Sequence, residues 1–296
     1  MLGTAGLLVQ DRALEAATIY LRIALSVDPG MDVAALLLAE ILERAERPAE
    51  ALALYQGVDP ASPWAGNARL SAALALDASG DADAAVATLR SIVEERPEDV
   101  DALITLADVL RRTERYDDSI GIYDRAIDAM GTPGPLDWSV FYARGIALER
   151  SRLWDRAERD FQRALELQPE QPLVLNYLAY SWAEQGRRLD EAQRMVERAV
   201  ELRPDDGFIV DSLGWILYLR GRFDEAVPML ERAVDLSPGD PLLNDHLGDA
   251  YWQVGRLREA RFQWRHALDR DPPADQAAQL RDKLEYGLEP TRTAAR

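Results

Sequence analysis

Few side chains in this sequence could make or break bonds. Histidine occurs only at positions 246 and 266. No HExxH spacing links the two and neither has a companion histidine, so they are read as structural or surface residues rather than metal ligands. Cysteine is absent, which removes disulfides, thiolate metal sites and cysteine nucleophiles together. Asp81 and Asp83 resemble the opening of a calcium loop, but the glycine at the sixth loop position and the closing glutamate are missing. The phosphate-cradling run GxxxxGK has no match, and neither has the GxSxG nucleophile elbow. Acidic pairs are abundant, and nothing singles one out for acid–base work. The sequence therefore predicts no enzyme, no cofactor and no metal, and points to recognition.

Composition narrows the partners. Of 296 residues, 48% are hydrophobic, enough for a continuous core, and the formal net charge is −18. Acid outnumbers base 24 to 11 in residues 1–137 and 28 to 23 in residues 138–296. A body this acidic repels phosphate backbones, so nucleic acid is not expected as a partner. No stretch has the apolar length needed to span a bilayer, so direct membrane insertion is not expected. The opening MLGTAGLLVQ lacks basic residues and makes a poor signal peptide. Composition leaves the compartment open.

The elements that must position any binding residue follow from an internal period. Prolines recur at Pro29, Pro63 and Pro97, and again at Pro169, Pro204, Pro238 and Pro272, at intervals of 34 or 35 residues. Numbering a 34-residue repeat with this proline at position 32 brings other positions into register. Position 8 is always small: Ala39, Ala73, Ala107, Gly145, Ala179, Gly214 and Gly248. Position 20 reads Ala51, Ala85, Ser119, Ala157, Ala192, Ala226 and Ala260, and position 24 is large throughout, from Tyr55 to Trp264. Small residues let two helices approach closely, large ones fill the space between neighbours, and proline marks the break before the next pair.

These residues resemble the tetratricopeptide-repeat (TPR) superfamily, best in Leu247, Gly248, Tyr251, Ala260, Trp264, Ala267 and Pro272. The resemblance implies an all-α, right-handed solenoid of helix-turn-helix repeats. Seven full repeats are expected: 32–65, 66–99 and 100–137 in an N-terminal group, then 138–171, 172–206, 207–240 and 241–274 in a C-terminal one. Residues 130–137, MGTPGPLD, are an inserted loop and the expected hinge. Residues 1–31 form a partial repeat whose first helix is cut short; either the chain is a fragment of a longer array, which the lack of a polar cap favours, or that helix is an atypical cap. Residues 275–296 are read as a capping helix and a frayed tail.

By the same resemblance, positions 2, 5, 9, 12 and 13 line a concave groove where ligands lie. In the C-terminal repeats these positions hold Tyr142, Asn176, Tyr180, Phe208, Asp211, Trp215, Tyr218, Asp245, Asp249 and Trp252. Tyr180, Trp215, Tyr218 and Trp252 are expected to grip apolar side chains of a peptide, with Asp211, Asp245 and Asp249 favouring basic or amide-rich segments. The alternative is that curvature buries these aromatics against the next repeat. Asn176 suits a carboxylate clamp in type, but its acidic neighbours argue against one.

The expected role is a protein-interaction scaffold or adaptor. Phrases such as VDSLGWILYLRGRFDEA resemble the C-terminal repeats of long bacterial TPR proteins, some of them outer-membrane lipoproteins that serve as adaptors for a periplasmic processing protease. That resemblance would put the chain at the outer membrane if it is a fragment, and in the cytoplasm as it stands. Other readings are a non-catalytic part of a larger enzyme or regulatory protein, and self-association through the unfinished first repeat.

Overall fold

The computed structural model describes residues 13–288, and among these the secondary structure is entirely helical. The sixteen helices are α1 (Leu14–Val27), α2 (Asp32–Arg44), α3 (Pro48–Gln56), α4 (Ala65–Ala78), α5 (Ala82–Glu95), α6 (Val100–Arg112), α7 (Tyr116–Met130), α8 (Trp138–Arg150), α9 (Trp154–Leu167), α10 (Pro172–Glu184), α11 (Leu189–Leu202), α12 (Gly207–Leu219), α13 (Phe223–Leu236), α14 (Pro241–Gln253), α15 (Leu257–Leu268) and α16 (Ala274–Tyr286). α2 packs on α3, α4 on α5 and α6 on α7 in the first unit, and α10 on α11, α12 on α13 and α14 on α15 in the second, which is the all-α TPR arrangement that the repeat predicts. Contacts divide the chain into two compact units, Met1–Asp160 and Phe161–Arg296. The truncated first helix and the tail beyond Leu288 lie outside the described residues.

The registered residues form the core. The small side chain at position 20 is fully buried in every full repeat, from Ala51 to Ala260. The large ones at position 24 are buried as well, with Tyr55, Tyr123, Phe161 and Trp264 the bulkiest. Positions 8 and 24 meet within a pair, most closely where position 8 is glycine. A Cβ added to Gly214 would lie 2.6 Å from Cγ of Leu230, and one added to Gly248 would collide with the indole of Trp264. Helix starts are set by aspartates: Asp81, Asp99, Asp206 and Asp240 each accept a hydrogen bond from a backbone N–H in the first turn of the helix they precede.

The turn between the helices of a pair requires one residue at positive φ, at position 15. Gly80, Gly221 and Gly255 meet this with φ of 87°, 73° and 82°, whereas Glu46, Glu114 and Arg152 are held at 56°, 61° and 62°. A side chain there costs roughly 1–2 kcal/mol, partly offset by the greater freedom glycine has when unfolded. Glu114→Gly and Arg152→Gly are therefore each expected to stabilise the first unit by several tenths to about 1 kcal/mol. Urea unfolding of the double variant checks this, and an unchanged or lowered midpoint would refute it. In the fifth repeat, with its extra residue, both Gly186 and Arg188 are at positive φ.

The inserted loop is bridged by charge. Arg144 on α8 forks onto Asp160 with two bonds of 2.7 Å and reaches Asp124 on α7 at 2.7 Å, while Arg156 also holds Asp124 at 2.9 Å. A bidentate Arg–carboxylate pair with little water around it is among the stronger charged contacts. A further tie between repeats recurs at position 26. Arg125 and Arg232 donate to the carbonyls of Pro97 and Pro204, and Arg198 donates to Glu170, each reaching 28 residues back.

Candidate binding face of the second unit

The first helices of the second unit's repeats, α10, α12 and α14, stand side by side with α16. Asp206 and Asp240 fix where α12 and α14 begin, and helical spacing then brings positions 5, 9 and 12 onto one face. On that face Trp215 stacks against Tyr218 (centroids 4.6 Å apart, planes 6° apart) and against His246 of the next repeat (3.9 Å, 10°). The indole Nε1 of Trp215 donates to Glu184 on α10 at 2.6 Å. Nδ1 of His246 lies 2.9 Å and 3.1 Å from the two oxygens of Asp211, which places the ring proton on that nitrogen. Burial pulls the pKa of His246 down, but Asp211, with Asp245 and Asp249 beyond it, outweighs burial and lifts it above the ordinary imidazole value. Asp211 thus favours the protonated ring, which lies flat against the face of Trp215.

One repeat further on, Nζ of Lys283 on α16 sits 2.6 Å from Asp245 and 2.9 Å from Asp249, and Nε1 of Trp264 donates to Asp249 at 2.9 Å. Burial pushes the Asp249 carboxyl up to about 6 even though Lys283 opposes the shift. Trp252 donates from Nε1 to the carbonyl of Leu288 at 3.1 Å, and its ring packs on Gly287, which has no Cβ to obstruct it. Arg261 covers the same indole at 5.1 Å.

This geometry corrects one expectation. Asp211 is only 2% exposed, Asp245 and Asp249 are buried too, and all three are paired internally. They offer no free carboxylates to a basic ligand, because the acid on each first helix is matched by a cation on the next. Phe208, by contrast, is 53% exposed and Leu242, one repeat on at the same position, is 40% exposed. Tyr180, Trp215 and Tyr218 are half-buried. Burial, then Glu184 and Asp211, raise the Tyr180 phenol well above its ordinary range. Asn176 on α10 has a buried Oδ1 with no hydrogen-bond partner. Tyr142 belongs to the first unit, where its ring packs 5.9 Å from that of Trp138.

Sequence reasoning missed His246 and Lys283 as parts of this face. Lys283 carried a signal, as the sole lysine of the chain and one period of 34 residues beyond Asp249. Among the described residues no group of three or more His, Asp or Glu is placed to hold a metal ion, and no helix is long and apolar enough to cross a membrane.

Paired helices in register, with a row of side chains shared by successive first helices, define a class of protein: a helical-repeat scaffold for protein interaction. A family model described as tetratricopeptide repeat matches residues 6–64, 70–135, 142–188 and 185–241, and a second of the same description matches 217–284. The chain belongs to the tetratricopeptide repeat family. It is similar to a tetratricopeptide repeat protein from Parabacteroides merdae (TM-score 0.67, 15% identity, 86% of this chain and 97% of the other). Yeast Tom70 is also similar (TM-score 0.60, 17% identity, 94% and 59%). In sequence it is 30% identical over 139 residues to the cytochrome c-type biogenesis protein CycH of Rhizobium meliloti, a match spanning 47% of this chain and 35% of that relative.

Proposed function

We propose that the first-helix face of the second unit holds an extended or helical segment of a partner protein. The observation that carries this reading is the run of exposed Phe208 and Leu242 beside half-buried Tyr180, Trp215 and Tyr218. Large apolar and aromatic side chains on rigid helices are effective anchors, because little rotamer freedom remains to be lost on binding. Glu184 and His246 hold Trp215 from two sides, so its ring is pre-positioned for contact along its free edge. The internal pairing of Asp211, Asp245 and Asp249 makes apolar side chains, rather than basic ones, the expected selectivity. The name of CycH assigns no partner here, since the likeness covers less than half of this chain.

Selection of displayed random peptides on the full chain, followed by titration calorimetry, tests the reading. Enriched peptides should carry apolar residues, and a Tyr180→Ala/Phe208→Ala variant of unchanged helicity should bind them about tenfold more weakly or worse. Peptides that bind wild type and variant alike would sink it.

A further inference from the structure

The outer surface of the last repeat reverses the charge of those before it. Position 18 of the repeat is aspartate five times running, at Asp83, Asp117, Asp155, Asp190 and Asp224, and then becomes Arg258. Position 25 carries Glu197 and Glu231 in the two preceding repeats and Arg265 in the last. Position 22, which is Arg194 and then Pro228, becomes Phe262. On α15 the residues 258, 261, 262 and 265 fall on one helical stripe. All four are exposed, and Phe262 stands 67% open. Among the described residues Arg258, Arg261 and Arg265 make no ion pair, and Arg261 lies 5.1 Å from the ring centroid of Trp252. Glu259, the one acid within the stripe's span, is already engaged by Arg256 at 3.1 Å. In a chain of net charge −18, three guanidinium groups that form no ion pair among the described residues, set around an exposed aromatic ring, make a local exception.

We infer that this stripe is a second docking surface, distinct from the site around Tyr180 and Phe208, and that its partner is a short acidic protein segment carrying at least one apolar side chain. Guanidinium groups match carboxylates bidentately, and Phe262 supplies the apolar anchor between them. A short segment meets only the Arg258–Arg265 stripe, because charges more than roughly 8–10 Å away are screened at physiological salt. An anionic membrane or a nucleic acid extends further and would meet the acidic surface of α13, where Asp224 and Glu231 stand, so a protein segment fits better.

The experiment selects displayed random peptides on the full chain carrying Tyr180→Ala/Phe208→Ala, so that peptides held by the first-helix face do not enter. Enrichment of Asp and Glu around an apolar residue is expected. Arg258→Glu/Arg265→Glu should weaken the selected peptides by about tenfold or more. Phe262→Ser should weaken them severalfold, with helicity unchanged in every variant. Binding should also fall as salt is raised. Two results overturn the inference: selection without acidic enrichment, or acidic peptides that bind the charge-reversed chain equally well. If vesicles of anionic phospholipid, or DNA, bind wild type more tightly than the selected peptides do and lose that binding on charge reversal, the stripe serves a polyanion and the assignment to a protein segment fails.

Discussion

Lys283→Ala is expected to destabilise the C-terminal end of the second unit by about 3–5 kcal/mol at neutral pH, the usual cost of leaving buried charge without its partner. The ammonium is held between two carboxylates that are almost fully removed from water, and its own side chain is 15% exposed. Burial depresses the pKa of Lys283, but Asp249 and Asp245 outweigh that and raise it, so it is charged throughout the working range. Truncation leaves Asp245 and Asp249 facing each other in a low-dielectric site with only the Trp264 indole as a donor.

The loss should depend on pH in a particular direction. Asp249 is raised to about 6 in the folded chain, so its contribution is fully present below the ordinary carboxylate value and is lost as pH rises through about 6. Without Lys283 that carboxyl is lifted further. The gap between variant and wild type should therefore be widest at pH 7–8 and narrow as pH falls toward about 6, where the Asp249 carboxyl of the wild type takes up its proton as well. His246, also raised, adds to the same preference for mild acid. Urea unfolding at several pH values reads this. A gap that does not change with pH, or a loss under about 1 kcal/mol, would show that the cluster is hydrated and not a buried ion pair. Lys283→Met/Asp245→Asn/Asp249→Asn should recover most of the loss, because a neutral cluster has no charge to desolvate.

Trp264→Ala should cost a similar amount, about 3–5 kcal/mol. The ring is fully buried, fills the space over Gly248 and donates to Asp249, so its removal opens a cavity and strips a buried carboxylate of a donor. In a repeat array the damage should stay local, giving early melting of the last repeats while the first unit keeps its own transition. Coupling to position 8 makes the test sharp. Gly248→Ala alone should destabilise by about 1–3 kcal/mol, since the new methyl displaces the indole. In a Trp264→Ala background the same change should stabilise, because the indole that the new methyl would meet is gone and alanine is the better helix former. An effect of the same sign in both backgrounds would show that the indole is not what the new methyl meets.

The fold was legible because its determinants are local and repeated. A residue such as Ala226 meets the same neighbours, in the same register, as Ala192 and Ala260, so each repeat checks the others. The proline breaks and the small and large positions together specify helix pairs, and α16 falls where the polar run 274–287 predicts it. The register also implies that Trp215, Tyr218 and Trp252 stand on first helices. Their surroundings depend on side chains one period away, and a consensus is silent there because those positions vary. Asp211, Asp245 and Asp249 read as free acids until His246 and Lys283 were found opposite them on the next helix. Likewise, whether an aromatic ring lies stacked or open depends on what the following repeat carries, which leaves Phe208 exposed and closes Trp252 beneath Gly287 and Leu288. Periodicity by itself determined the scaffold, because packing small against large needs only residue size at the right interval. Only the tertiary structure decided which charges are spent inside the array and which face a partner, because desolvation and ion pairing depend on neighbours that no interval specifies.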